Sequence, residues 1–164
     1  MILLDVMEVL ILFGLVVGDF NNNKQTDLTA TINVGAAPSI PDNRLRLWTG
    51  RDTGGFQAAI PSQVTTSGKR PRVVTAGDLN GDQIDDLVTA DYGDAPTGPA
   101  RLSLWLGGSG AQASTDLLTT YGRGILPKTL LDVAVGDING DCKLDIVAVS
   151  ESDPNFYVFI NKTP

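Results

Sequence analysis

An all-β fold, a partial β-propeller of about three four-stranded antiparallel blades, is what this sequence predicts. Three observations lead there. One nine-residue acidic pattern occurs three times at equal spacing, Val-rich runs flank every copy, and those runs are too short for helices.

The three copies lie in VVGDFNNNKQTDLTAT, VTAGDLNGDQIDDLVTA and AVGDINGDCKLDIVAV. Their first aspartates, Asp19, Asp78 and Asp137, follow one another at intervals of 59 residues. A β-branched run ending in Gly precedes each copy, at residues 16–18, 73–77 and 133–136, and a second run follows it, at 28–32, 87–90 and 146–149. Val-rich runs of this length read as strands. A third strand comes next in each unit, as RLRLWTG, RLSLWLGG and FYVFINK, and a weaker fourth is expected at 56–60 and 116–121. Four antiparallel strands in one unit make a propeller blade, here somewhat longer than the roughly 40–50 residues of common blade families. Strands apolar on both faces suit blades stacked between neighbours. The chain therefore reads as one segment, 1–164, with units near 14–72, 73–131 and 132–164, the last incomplete. Because propellers close with typically four to eight blades, self-association or further blades of a longer chain are expected.

Composition narrows the chemistry. A net charge of −7 with no offsetting basic stripe argues against nucleic acid as a partner. Of the 19 acidic residues only Glu8 and Glu151 are Glu; the rest are Asp, the residue of turns and metal loops rather than helix surfaces. There is no His, which removes the commonest general base and the Ser-His and Cys-His pairs, so no enzyme activity is expected. The single Cys142 rules out an internal disulfide and a Cys-rich zinc site. Residues 2–17 are mostly apolar but interrupted by Asp5 and Glu8, with no Lys or Arg before them. That pattern fits a core strand or helix better than a signal peptide or a membrane span. A cap over one end, or an added strand, is a second reading of residues 2–13.

GDLNGDQIDDLV and GDINGDCKLDIV resemble the FG-GAP repeat of the integrin alpha-subunit propeller, also called the VCBS-type repeat in bacterial surface proteins. The resemblance covers essentially the whole chain, as nearly three repeats. It implies a Ca²⁺ in each loop, held at positions 1, 3, 5, 7 (through the carbonyl) and 9. The second loop then offers Asp78, Asn80, Asp82, the Ile84 carbonyl and Asp86; the third offers Asp137, Asn139, Asp141, the Lys143 carbonyl and Asp145. The first offers Asp19, Asn21, Asn23, the Gln25 carbonyl and Asp27, and is the weakest of up to three sites because Asn23 replaces a charged ligand. The family usually has Gly at position 6, where this chain has Lys24, Gln83 and Cys142.

The chemistry of the residues agrees. Ca²⁺ takes six to eight hard oxygens at about 2.3–2.6 Å, and alternate residues of a tight loop turn toward one centre. Without a cation, the carboxylates of one loop repel at close range. Three bound Ca²⁺ would nearly cancel the formal charge of −7. An EF-hand or dockerin loop needs a twelfth-position ligand followed by a helix, whereas a Val-rich strand follows position 9 here. In the pair Asp85-Asp86, neighbouring strand residues point to opposite faces, so only Asp86 is expected to turn toward the metal.

Antiparallel strand order places the three acidic loops at one end of the blades and the loops between second and third strands, 33–43 and 92–99, at the other. Binding residues concentrate on long loops over a rigid scaffold. The resemblance implies the same face as the one that binds a protein or carbohydrate ligand, in adhesion or recognition at an extracellular or cell-surface location. The alternative is an accessory or catalytic propeller segment of a secreted enzyme such as a lyase or phospholipase. Trp48 and Trp105 recur at one place in the third strand and are read as packing between blades, with sugar stacking as the rival. The basic run 68–72 is read as a solvated connector.

Overall fold

The computed structural model describes residues 11–33, 44–67, 70–93, 100–108, 115–116, 129–152 and 154–163. Among these residues the protein is all-β, with three antiparallel sheets. The first joins β1 (Ile11–Gly18), β2 (Asp27–Asn33), β3 (Arg44–Gly50) and β4 (Phe56–Thr65) in chain order. The second joins β5 (Pro71–Gly77), β6 (Asp86–Asp91), β7 (Arg101–Trp105) and β8 (Thr115–Asp116) in the same way. The third holds β9 (Asp132–Gly136), β10 (Asp145–Val149) and β11 (Phe156–Phe159). Three successive up-and-down sheets stacked face to face form a partial β-propeller. The sheets begin at Ile11, Pro71 and Asp132, against unit starts expected at 14, 73 and 132.

The fourth strands depart from expectation. β4 runs past residue 60 to Thr65 because its pairing with β3 shifts register between Arg46 and Trp48. Pro61, which has no N–H to donate, falls in that irregular stretch, where a ladder can tolerate it. Of the expected fourth strand at 116–121, β8 takes up Thr115–Asp116, and 117–121 lie outside the described residues.

Side chains alternate across each strand, so a sheet between two others needs apolar residues on both faces. The second sheet meets that demand. Val74, Leu87 and Trp105 pack toward the first sheet, against Phe20, Leu45, Leu47 and Val64. Val88, Ala90 and Leu102 pack toward the third, against Leu130, Val133, Ile146 and Ala148. β6 is buried along its whole length. Truncating one of its fully buried side chains, as in Leu87→Ala, removes about 2–5 kcal/mol of stability. Trp105 thus packs between sheets, as the sequence suggests, while Trp48 is only half buried, with the Arg46 guanidinium 5.6 Å from its ring centre.

The apolar N-terminal run is corrected in one respect. From Ile11 onward it is a strand, but Leu12, Phe13, Leu15 and Val17 are exposed rather than core. Gly14 and Val16 face the second sheet: the backbone of Arg72 and Val74 lies against Gly14, and Val16 packs on the Phe20 cluster. The alternate residues point away, where none of the described residues forms a sheet. Residues 2–10, the rest of that run, lie outside the described ones.

Candidate metal sites

Each acidic loop grows from a hairpin closed by the same pair: Gly18 opposite Asp27, Gly77 opposite Asp86, and Gly136 opposite Asp145. Within the loops, Asx turns do the folding. The position-1 carboxylate caps the turn. Asp78 Oδ1 accepts the N–H groups of Gly81 and Asp82 at 2.7 and 3.1 Å, and its Oδ2 accepts that of Gln83 at 2.8 Å. Asp137 does the same for Gly140, Asp141 and Cys142, and Asp19 for Asn23 and Lys24. At position 3, Asn21, Asn80 and Asn139 each accept the N–H two residues on, at 3.0, 2.9 and 2.9 Å. At position 5, Asn23, Asp82 and Asp141 repeat the move at 2.8, 2.9 and 3.0 Å.

The backbone explains why Gly is dispensable at position 6. Lys24, Gln83 and Cys142 all adopt a left-handed conformation, at φ 64°, 67° and 64°. Position 4 is left-handed too, with Asn22 at 62°, Gly81 at 82° and Gly140 at 80°. The departure from the family pattern therefore leaves the turn intact and stores strain, roughly 1–2 kcal/mol for a non-Gly residue in this region.

The position-9 carboxylates play a different part. Asp27, Asp86 and Asp145 are buried. Each links two backbone N–H groups: one at position 2 of its own loop and one at or just past the end of the third strand. Asp86 Oδ2 accepts from Leu79 and Oδ1 from Gly107, both at 2.9 Å. Asp27 accepts from Phe20 and Gly50, and Asp145 from Ile138 and Asn161. Burial pushes the Asp86 carboxyl above its ordinary range, against the two amides that favour the charged form, and the nearby Asp82 and Asp78 charges push the same way. Asp27 is raised for the same first reason. Asp137, by contrast, is held low, chiefly by the Cys142 amide.

Positions 1, 3 and 5 of each loop are thus brought together, and position 9 sits beneath them as a buried clamp. Among the described residues no group of three or more His, Cys, Asp or Glu side chains converges as a metal cage. The donors nevertheless fit a hard cation in kind. Loops two and three each combine three carboxylates, one amide oxygen and a position-7 carbonyl, the all-oxygen set Ca²⁺ takes.

Asp85 is a residue whose role the pattern did not reveal. It does point away from Asp86, and its Oδ2 accepts the Asp19 N–H at 2.9 Å while its own N–H donates to the Asp19 carbonyl at 3.1 Å. It fastens the first loop to the second sheet. Asn161 makes the corresponding link one sheet on, donating from Nδ2 to the Leu79 carbonyl at 2.7 Å. The recurrence of Gly50, Gly107 and Asn161 two residues after Trp48, Trp105 and Phe159 was the available signal.

At the opposite end, the long loops expected to bind ligand lie mostly outside the described residues, as do 68–69 of the basic run. The rest of that run is not simply solvated: Arg70 and Arg72 stack on Tyr92, at 4.8 and 4.7 Å from its ring centre. The Tyr92 hydroxyl donates to Glu151 at 2.6 Å, a bond that raises its pKa.

The model of the FG-GAP-like repeat matches residues 19–89 and again 78–148, together more than half of the chain. Each match starts on the first Asp of one loop and runs through the next, so the two overlap on the second loop. No curated protein matches the chain. With the repeat found twice in register, on three stacked antiparallel sheets whose hairpins close identically, the chain belongs to the FG-GAP-like repeat family.

Proposed function

We propose that the chain is a calcium-binding propeller segment that serves adhesion or ligand recognition outside the cell. The observation that carries this reading is the identical placement, in three loops, of side-chain oxygens at positions 1, 3 and 5 around one turn. Asp78, Asn80, Asp82, the Ile84 carbonyl and Asp86 would hold the second ion, and the equivalent residues the others. Bound Ca²⁺ supplies the positive charge that the clustered carboxylates lack. Its role is structural, holding the loop ends of the sheets while the opposite end takes a protein or carbohydrate. Loops with few charges suit the plentiful calcium of the extracellular space.

A melting curve tests the metal half. Millimolar Ca²⁺ raises the melting temperature over chelator, with no comparable effect of Mg²⁺, which demands a stricter octahedral shell. An unchanged curve would contradict the reading. A glycan-array and protein pull-down screen on the Ca²⁺-loaded chain tests the recognition half.

A further inference from the structure

We infer that the open face of the third sheet is covered in solution by the first sheet of a second copy of this chain. The inference rests on the stacking of the sheets and not on the calcium reading.

Glycine precedes position 1 in all three loops, and at the first two the reason is visible. A Cβ on Gly18 would lie 2.6 Å from Asp85 Oδ2, and one on Gly77 2.5 Å from Leu144 Cδ1. Asp85 and Leu144 both occupy position 8 of the following sheet's loop, so the next sheet takes the space a side chain would need. Around Gly136 nothing lies within 4 Å of the Cβ position, and its φ is outside the left-handed region. Neither its backbone nor the packing of the described residues asks for glycine there. A position-8 residue from another sheet does.

Two further positions agree. At position 2, Phe20 and Leu79 are 1% and 8% exposed, yet Ile138 is 55% exposed. In the third strands, Leu45, Leu102 and Phe156 hold equivalent places, since Trp48, Trp105 and Phe159 pair with Leu28, Leu87 and Ile146. Leu45 and Leu102 are 1% and 0% exposed, whereas Phe156 is 69% exposed. The face built like the two internal ones is thus left uncovered by the described residues.

The same molecule displays the matching half. Leu15 and Val17 of β1, 63% and 55% exposed, hold the places of Val74 and Ala76 in the second sheet and of Val133 and Val135 in the third. Those four residues fill the internal interfaces from the following side. Position 8 of the first loop is Thr26, small and neutral enough to sit over Gly136. The contact is head-to-tail, and repeats into a ring or a filament according to whether its rotation closes.

Sedimentation velocity and light scattering on the full chain in Ca²⁺ buffer, across a concentration series, test this. The wild-type chain assembles beyond the mass of one copy. Gly136→Ala, whose added methyl meets none of the described residues, melts normally when dilute and associates about tenfold or more weakly, the scale of one overpacked contact. Leu15→Glu, on the other half, does the same. Mixing the two variants restores pairing, because each retains the half the other has lost. A wild-type chain that stays at the mass of one copy, an assembly indifferent to Gly136→Ala, or a mixture that fails to pair would each overturn the inference.

Discussion

The first and second acidic loops share a backbone and differ in charge. Both close on a Gly–Asp pair, both turn left-handed at positions 4 and 6, and both bury a position-9 carboxylate against two amides. Yet the first has Asn23 where the second has Asp82, and each oxygen accepts the N–H two residues on, at 2.8 and 2.9 Å. A neutral oxygen makes the turn as well as a charged one. The carboxylate at position 5 is therefore surplus to the fold, whereas the one at position 9 is part of it. The two kinds of acid in one motif divide between ligand chemistry and architecture.

The largest expected effect tests that division. Asp86→Ala leaves the buried N–H groups of Leu79 and Gly107 without acceptors and loses about 3 kcal/mol or more of stability. Asp82→Ala, at an exposed position and measured in chelator, loses under about 1 kcal/mol. Chemical denaturation of both variants decides it, and equal losses would erase the distinction between clamp and ligand.

Calcium affinity sharpens the comparison from the other side. Asp82→Ala weakens the second site by about tenfold or more, the loss of one charged ligand, while Asn23→Ala weakens the first site less. Calorimetric titration showing equal losses would mean that charge at position 5 does not matter to the ion.

The smallest effect concerns the backbone the loops share. Gln83→Gly and Cys142→Gly each relieve a left-handed non-Gly residue and raise stability by up to about 1 kcal/mol. Asn22→Gly gains less, because Asn tolerates that conformation. Thermal melts of the three variants rank them, and a loss at position 6 would show that the side chain there makes a contact worth more than the strain.

Much of the fold was legible because a repeat prints its own register. The hairpins, the third strands and the turn residues recur at one interval, and local Asx chemistry specifies the turn without reference to the rest of the chain. The fourth strands were harder to place: β4 continues through a shift of register around Pro61 that no periodic pattern announces. Within the site, positions 1, 3 and 5 were readable as oxygens of one loop. The second acceptor duty of Asp86 was announced only by the recurrence of Gly107 and its equivalents two residues after Trp105 and its counterparts, because Gly107 lies 21 residues later in the chain.

Spacing and residue type alone determined the strand order within each unit, the turn at each loop and its all-oxygen donor set, because these depend on neighbours a few residues apart. Only the stacking of the sheets decided which apolar residues are core. Leu87 and Leu15 are equally apolar in the chain, but the first is sealed between two sheets and the second faces outward from the first sheet. Burial is a property of what lies on the other side of a strand, and that partner belongs to a neighbouring sheet tens of residues away in sequence, as Leu45 does for Leu87.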